Sequence, residues 1–219
     1  MNIFSFQKIL DLLALGGPMA IPLLIASVTS LAVIIEKIIF FAKHKDNGFR
    51  LIKKIEMLVD EGDIMGALNE LKGKKGPNAK LLSTALAHYS EDPDRVREVM
   101  QAVGEDEIKK MEKHLAVLDV IAMISPLLGL LGTVLGIISS FNILGTAAGA
   151  AAPSQISSGI AAALISTALG LIIAIPTAIF YSYFTNKVEK RAHEMNLSMV
   201  DIIDVVSSDG GQDNVQTYS

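Results

Sequence analysis

The sequence predicts an all-α integral membrane protein with three transmembrane helices. Of its 219 residues, 51% are hydrophobic and 19% are charged. The apolar residues fall in long runs, which is typical of membrane proteins rather than of large soluble cores. No charged residue occurs from Val120 to Asn186, a stretch that can hold two spanning helices of about 20 residues each and a turn. A further uncharged run extends from Leu12 to Ile35.

In chain order, these runs and the charged regions between them define seven segments. They are an interfacial segment on the outer side (1–11), transmembrane helix 1 (12–42), a cytoplasmic helical domain (43–114), transmembrane helix 2 (115–144), an outer-side turn (145–156), transmembrane helix 3 (157–186), and a cytoplasmic C-terminal helix and tail (187–219). The first segment has apolar residues at roughly helical spacing, which suits a helix lying in the membrane interface.

The cytoplasmic domain shows helical charge and apolar patterns with clear boundaries. Two amphipathic helices are predicted to end near Asp60 and Leu71, where Gly-rich breaks follow. A further helix is predicted to begin at Asp92, whose side chain can cap the free N–H groups, with Pro93 in the first turn.

Two of the spans are predicted to extend into a cytoplasmic helical bundle. No helix-breaking residue separates Glu105 from the second span, so a single helix is predicted from Glu105 to Leu144. The third span likewise continues through the basic residues at 187–191. The glycines and prolines near Pro18 and the length of the first apolar run argue against a cleaved signal peptide.

The orientation follows from the positive residues near the ends of the spans. They are Lys43, Lys45, Arg50, Lys53 and Lys54 after the first span, Lys109, Lys110 and Lys113 before the second, and Lys187, Lys190 and Arg191 after the third, against Lys8 alone on the other side. The middle domain and the C-terminus are therefore predicted to be cytoplasmic and the N-terminus to be outside. The net charge of −4 does not suggest a nucleic-acid partner.

The titratable residues give no sign of an active site. The four histidines (His44, His88, His114 and His193) have no acid or thiol partner at a telling spacing and are interpreted as solvated surface groups. Glu36 and Lys37 close the first span, and their charges are expected to reach for the membrane interface. Since the long charge-free block also lacks His and Cys, an enzyme is not favoured.

Small and hydroxyl residues recur every three or four positions in both of the last two spans, so they form one face of each helix. In the second span they are Ser125, Gly129, Gly132, Thr133, Gly136 and Ser140, with Pro126 beside the first; in the third they are Gly159, Ala163, Ser166, Gly170, Ala174 and Thr177, with Ala162 and Thr167 beside them. Such faces allow close helix packing with hydroxyl hydrogen bonds across the gap. Several copies in a ring could instead point both faces at a central space, and the pattern leaves both arrangements open.

The segments "SPLLGLLGTVLGIISSF" and "SSGIAAALISTALGLIIAIPTAIFY" resemble the paired motif of the ExbB/TolQ/MotA family of ion-driven motor stators. The three spans favour the ExbB/TolQ branch. The resemblance implies a homo-oligomeric, pentameric ring around two copies of a single-span ExbD/TolR-like partner that supplies an essential Asp. It also implies a bacterial inner-membrane location, with the N-terminus periplasmic and the C-terminus cytoplasmic.

The implied function is conversion of the proton motive force into mechanical work on the cell envelope, in TonB-dependent import or a Tol–Pal type system, with a TonB- or TolA-like periplasm-spanning protein as a further partner. H+ is the implied ion and Na+ the alternative, and no cofactor is implied. The competing hypothesis is a non-conducting three-span membrane scaffold that packs and docks partner proteins.

The resemblance also assigns roles to residues. Thr133, Thr167, Ser166 and Ser140 are predicted to line the ion path. The face that packs against helices or the partner is predicted to comprise Ser125, Pro126, Gly129, Gly132, Gly136, Gly159, Ala162, Ala163, Gly170 and Ala174. ExbB and TolQ commonly carry a glutamate in "GIAEAL", whereas this chain reads "GIAAAL" with Ala162 there, so an acid at that position takes no part in its ion path.

Overall fold

The computed structural model describes residues 17–44, 48–74, 76–146 and 153–210. All the regular structure in these ranges is helical, as the sequence predicts. After a 3₁₀ turn at Gly17–Met19, the helices are α1 (Ala20–Lys43), α2 (Gly48–Asp60), α3 (Ile64–Leu71), α4 (Pro77–Ala87), α5 (Pro93–Glu112), α6 (Leu115–Thr146) and α7 (Pro153–Gly210). The predicted interfacial segment 1–11, the middle of the turn 145–156 and the end of the C-terminal tail lie outside the described residues.

Three helical stretches among the described residues are long and apolar enough to cross a membrane: Gly17–Lys43, Pro93–Asn142 and Ile156–Asp204. In the most apolar window of each stretch, only 28%, 22% and 22% of the residues are buried within the chain. The remaining apolar side chains are therefore available to lipid or to other membrane helices. These features describe a multi-pass membrane protein with the three apolar helices that the sequence predicts.

The predicted single helix from Glu105 to Leu144 is wrong, because the chain breaks between α5 and α6. Lys113 is extended at φ −47° and ψ 131°, and His114 has a φ of +66°. Histidine is one of the few non-glycine residues that adopt the left-handed region with some frequency. No Gly or Pro marks this break in the sequence. The third span does continue beyond 191, since α7 runs unbroken to Gly210.

The chain divides into two compact units. The first comprises the described residues within Met1–Lys37 and His114–Phe184, and the second those within Ile38–Lys113 and Thr185–Ser219. In the second unit, α2 to α5 pack on one another around an apolar core. Fully buried members of that core include Ile55, Leu81, Leu82, Val96, Met100, Met195 and Ile202.

The helix boundaries in the second unit agree with the sequence signals. The helices α2 and α3 end at Asp60 and Leu71 as predicted. The carboxylate of Asp92 accepts a hydrogen bond from the N–H of Asp94, and Pro93 opens α5. The helix α4, which the sequence analysis does not assign, begins at Pro77, where proline suits the first turn.

An exposed ion-pair network joins α2 to α3. The carboxylate of Glu70 accepts hydrogen bonds from Nζ of Lys54 at 2.7 Å and Nζ of Lys74 at 2.6 Å. The bond from Lys54, followed by that from Lys74, lowers the pKa of the Glu70 carboxyl to about 2. The carboxylate is therefore ionised at neutral pH and holds the two helices together through Lys54.

Candidate functional site: the glycine-lined contact of the last two spans

The small-residue faces of α6 and α7 meet within the first unit, and backbone touches backbone at one level. A Cβ atom added to Gly170 would lie 2.5 Å from the carbonyl oxygen of Ser125 and 3.2 Å from Cα of Gly129. A Cβ atom on Gly129 would lie 3.0 Å from both the carbonyl oxygen of Ser166 and Cα of Thr167. Only glycine fits at either position without moving a helix.

Farther along α6, the same face meets small side chains of α7. A Cβ atom on Gly132 would lie 2.5 Å from Cβ of Ser166 and 3.4 Å from Cβ of Met19. A Cβ atom on Gly136 would lie 2.8 Å from Cβ of Ala163. At the next level, a Cβ atom on Gly159 would collide with the hydroxyl of Ser140. Nothing in the sequence indicates that Met19 contacts this face of α6.

The three serines of this contact are buried, and each satisfies its hydroxyl on its own helix. Ser125, Ser140 and Ser166 are 0%, 3% and 2% exposed. Their hydroxyls donate to the carbonyl oxygens four residues earlier, at 2.7, 3.0 and 3.1 Å. Ser140 also lies 3.4 Å from the carbonyl oxygen of Ile156 on α7. This pattern removes the cost of burying a hydroxyl in an apolar contact.

The two threonines that the resemblance singles out have different surroundings. The hydroxyl of Thr167 on α7 donates to the carbonyl oxygen of Gly129 on α6 at 3.1 Å, so it bridges the two helices. The hydroxyl of Thr133 donates to the carbonyl oxygen of Leu130 on its own helix at 2.6 Å. Both side chains are partly exposed.

The remaining predicted packing residues lie at the same contact or next to it. Ala163 and Ala174 are buried, at 2% and 5% exposed, whereas Pro126 and Ala162 are half-buried. The carbonyl oxygen of Ala162 accepts the hydroxyl of Ser166. Within a single chain, the small-residue faces thus form the contact between α6 and α7.

One ion pair in this unit has no signal in the sequence. Nδ1 of His114 lies 2.9 and 3.0 Å from the two carboxylate oxygens of Glu36. His114 is an exposed surface group, as the sequence predicts, but it has an acid partner that lies 78 positions away in the sequence. His88, in the second unit, likewise contacts Glu91 at 2.8 Å.

Lys37, for which the sequence predicts a charge that reaches for the membrane interface, is buried within the chain. Its side chain is 1% exposed. It falls on the same face of α1 as the buried residues Val33, Ile34 and Phe41, because these positions are spaced by three and four along the helix. The ammonium group of Lys37 is therefore buried on the packing face of α1.

Comparison with known proteins agrees with this architecture. The profile of the MotA/TolQ/ExbB proton channel family matches residues 65–197. An ExbB-like biopolymer transport protein of Synechocystis is 33% identical over 171 residues, which cover 77% of this chain and 81% of that protein. The biopolymer transport protein exbB1 of Vibrio cholerae is 30% identical over 178 residues, covering 73% and 72%. The Tol-Pal system protein TolQ of Pseudomonas aeruginosa is 41% identical over 102 residues, covering 45% and 44%.

The three apolar helices and the glycine-lined contact between two of them define the class, a multi-pass membrane protein with a close-packed helix pair. With the family profile matching more than half of its length, the chain belongs to the MotA/TolQ/ExbB proton channel family. Its similarity to ExbB and TolQ proteins agrees with the three-span branch.

Proposed function

We propose that this chain is the stator and channel subunit of an inner-membrane, ion-driven motor. With an ExbD/TolR-like partner, it converts the proton motive force into mechanical work on the cell envelope. Membership of the proton channel family supports this proposal, as do relatives named for biopolymer transport and for the Tol-Pal system. The ion is H+, the chain carries out no enzymatic reaction, and no cofactor takes part.

The observation that carries the proposal is the lack of charge from Val120 to Asn186, which also contains no histidine. Proton relays inside membranes are built from ionisable groups. Hydroxyls such as those of Thr133 and Thr167 are too weakly acidic to titrate, and Ala162 removes the acid that relatives commonly have. The proton-carrying carboxyl is therefore an aspartate of the partner helix.

The hydroxyls of Thr133 and Thr167 can accept a hydrogen bond from such a carboxylic acid. Thr133 and Thr167 each use the hydroxyl hydrogen on a carbonyl oxygen. A hydroxyl that donates one hydrogen bond keeps two lone pairs as acceptors, so each oxygen is already oriented to accept the O–H of a protonated partner acid. Ser140 and Ser166 donate in the same way but are buried in the contact between α6 and α7, so this role falls to the two threonines. The partner acid contacts Thr167 and Thr133 at successive stages of rotation.

The assembly that we propose is the one that the family resemblance implies, and the apolar surfaces that the single chain leaves uncovered support it. Five copies surround two partner helices, with the N-terminus in the periplasm and the basic ends of the spans in the cytoplasm. Exposed residues of α6 that lipid, a neighbouring copy or the partner would cover include Leu127, Leu130, Leu131, Val134, Ile138 and Phe141.

Proton flux in liposomes tests this division of labour. The three samples are the subunit alone, the subunit with its partner, and the subunit with a partner whose aspartate is replaced by Asn. Flux is expected in the second sample only. A large flux from the subunit alone would show that the chain carries its own proton path.

A non-conducting scaffold is the second candidate. The observation that favours it is that α6 and α7 already use their glycines on each other within one chain, which packing alone explains. A scaffold predicts that the partner's Asp→Asn change alters neither copurification nor any transport. Copurification of this chain with its partner in a 5:2 ratio, together with proton flux that depends on the partner's aspartate, would exclude the scaffold.

A further inference from the structure

The ionisable groups of the first unit are confined to the ends of the spans. Among its described residues they are Glu36, Lys37, His114 and Asp119, with Tyr181 and Tyr183 near the end of the third span. The end of α1, the beginning of α6 and this part of α7 lie on the side that the positive residues assign to the cytoplasm. A proton that has crossed the spans meets its first strong acceptors here.

His114 lies where its ring contacts both a carboxylate and the surface of the chain. It is the only non-glycine residue with a positive φ in the part of the chain that the structure describes. Nδ1 of its ring contacts both carboxylate oxygens of Glu36. Nε2 is therefore the ring nitrogen that can gain a proton. The side chains of His114 and Glu36 are 42% and 47% exposed, so water reaches the pair.

We propose that Glu36 and His114 form the proton-accepting pair at the cytoplasmic end of the ion path. This inference rests on the proposed function. Imidazole is the side chain that ordinarily changes its charge between about pH 5 and pH 8. A carboxylate on one ring nitrogen fixes the tautomer. The pair therefore combines a ring nitrogen that can accept a proton with a carboxylate beside it.

The proton moves in two steps through this pair. A proton leaves the partner's carboxyl oxygen, which becomes a carboxylate, and passes through water to Nε2 of neutral His114. The resulting imidazolium is held by Glu36 and then gives the Nε2 proton to bulk water. Of the other titratable residues, Lys37 follows Glu36 on α1 and is buried, and Asp119 on α6 lies five residues beyond His114. Tyr181 and Tyr183 are the titratable groups of α7 in this unit.

The test measures proton current in liposomes that hold the complex with its partner. The variants are His114→Asn, in which Asn tolerates the positive φ, and Glu36→Gln. The matched control is His88→Asn, which removes an imidazole paired with a carboxylate at 2.8 Å in the second unit. Each variant is measured at low and at high concentration of a membrane-impermeant zwitterionic buffer.

At low buffer, His114→Asn should reduce the current roughly tenfold. This is less than the roughly 10²–10⁴-fold that a positioned acid or base contributes, because water can partly replace the exposed pair. Glu36→Gln should cause a smaller loss. High buffer should restore most of the current, since a mobile base can take the place of the lost acceptor, and His88→Asn should behave as the wild type.

Two results would overturn this inference: an unchanged current in His114→Asn at low buffer, or a loss that high buffer does not restore, which would indicate a structural role. A failure of the proposed function looks different. The wild-type complex itself would then carry no more current than the complex whose partner has Asn in place of Asp. That result would refute both the proposed function and the role of the Glu36–His114 pair.

Discussion

Because Gly170 contacts the backbone of α6, we expect that adding a single methyl group at this position forces the last two spans apart. In Gly170→Ala the new Cβ atom would lie 2.5 Å from the carbonyl oxygen of Ser125. Because that oxygen belongs to the backbone of a helix, no side-chain rotation can relieve the overlap, and one helix must shift. Overpacking of this kind costs about 1–3 kcal/mol, against a gain of up to about 1 kcal/mol from replacing glycine in a helix interior. Since a 2.5 Å approach to a backbone oxygen places the cost in the upper part of that range, about 2–3 kcal/mol, we expect a net loss of about 1–2 kcal/mol.

Gly104→Ala is the matched control, since it makes the same chemical change inside another helix. Its new Cβ atom would lie 3.5 Å from Cδ1 of Leu81 and 3.8 Å from Cε of Met195, which are ordinary contacts with flexible side chains. The gain in helix propensity then has nothing to oppose it. We expect Gly104→Ala to stabilise the protein by up to about 1 kcal/mol, so the two substitutions should have opposite signs.

The assay is thermal unfolding in mild detergent, followed by far-ultraviolet circular dichroism. A change of 1 kcal/mol corresponds to about 2–4 °C in Tm for a chain of this size. Gly170→Ala should lower the Tm and release partner or subunits from the purified complex, whereas Gly104→Ala should raise the Tm and leave the complex intact. If Gly170→Ala were as stable as the wild type, the backbone contact between α6 and α7 would be refuted.

Four further predictions follow from the structure. Thr167→Val should cost only about 0.6 kcal/mol, the average for a hydrogen bond between membrane helices. The complex should therefore stay assembled while its proton flux is lost, and full flux would argue against a role for this hydroxyl. Asp92→Ala should lower stability by about 1 kcal/mol through loss of the N-cap, while Asp92→Asn should keep most of it in the same melting experiment. Glu70→Gln should destabilise the α2–α3 pair at neutral pH. Because the pKa of Glu70 is lowered to about 2 in the folded protein, the difference from the wild type should vanish as the pH falls from the ordinary carboxyl range towards 2, and salt should weaken it. Native mass spectrometry in mild detergent should show a pentamer, and a stable monomer or dimer in several detergents would contradict the ring.

The features that the sequence predicts well are those with a local physical cause. The spans follow from uninterrupted apolar runs, and the start of α5 follows from Asp92 and Pro93, whose effects act within one helical turn. The small-residue faces are also visible in the sequence, because spacing by three or four places residues on one side of a helix whatever that side contacts. The contact of Gly129 with Gly170 then needs only that the two faces meet.

The features that the sequence misses depend on residues far apart in the chain. The break at His114 carries no Gly or Pro signal, and the imidazole is paired with a carboxylate on another helix. The burial of Lys37 depends on which face of α1 packs inward. The hydroxyl of Thr167 could have stayed on its own helix, as that of Thr133 does, and only the close approach of Gly129 gives it a carbonyl oxygen on α6.

The tightness of the contact between α6 and α7 also decides where an ion path can run. At the level of Gly170 the two backbones approach so closely that a single methyl group would overlap a carbonyl oxygen, and the nearby serines are buried with their hydroxyls already bonded. No water-filled passage fits between the two helices of one chain at this level. A path for protons must therefore follow the outer sides of the pair, where Thr133 is partly exposed. Those sides can be closed off from lipid only by other copies of the chain or by a partner helix. For this reason proton transport by this chain should require its assembly, and an isolated subunit in a bilayer should carry no proton current.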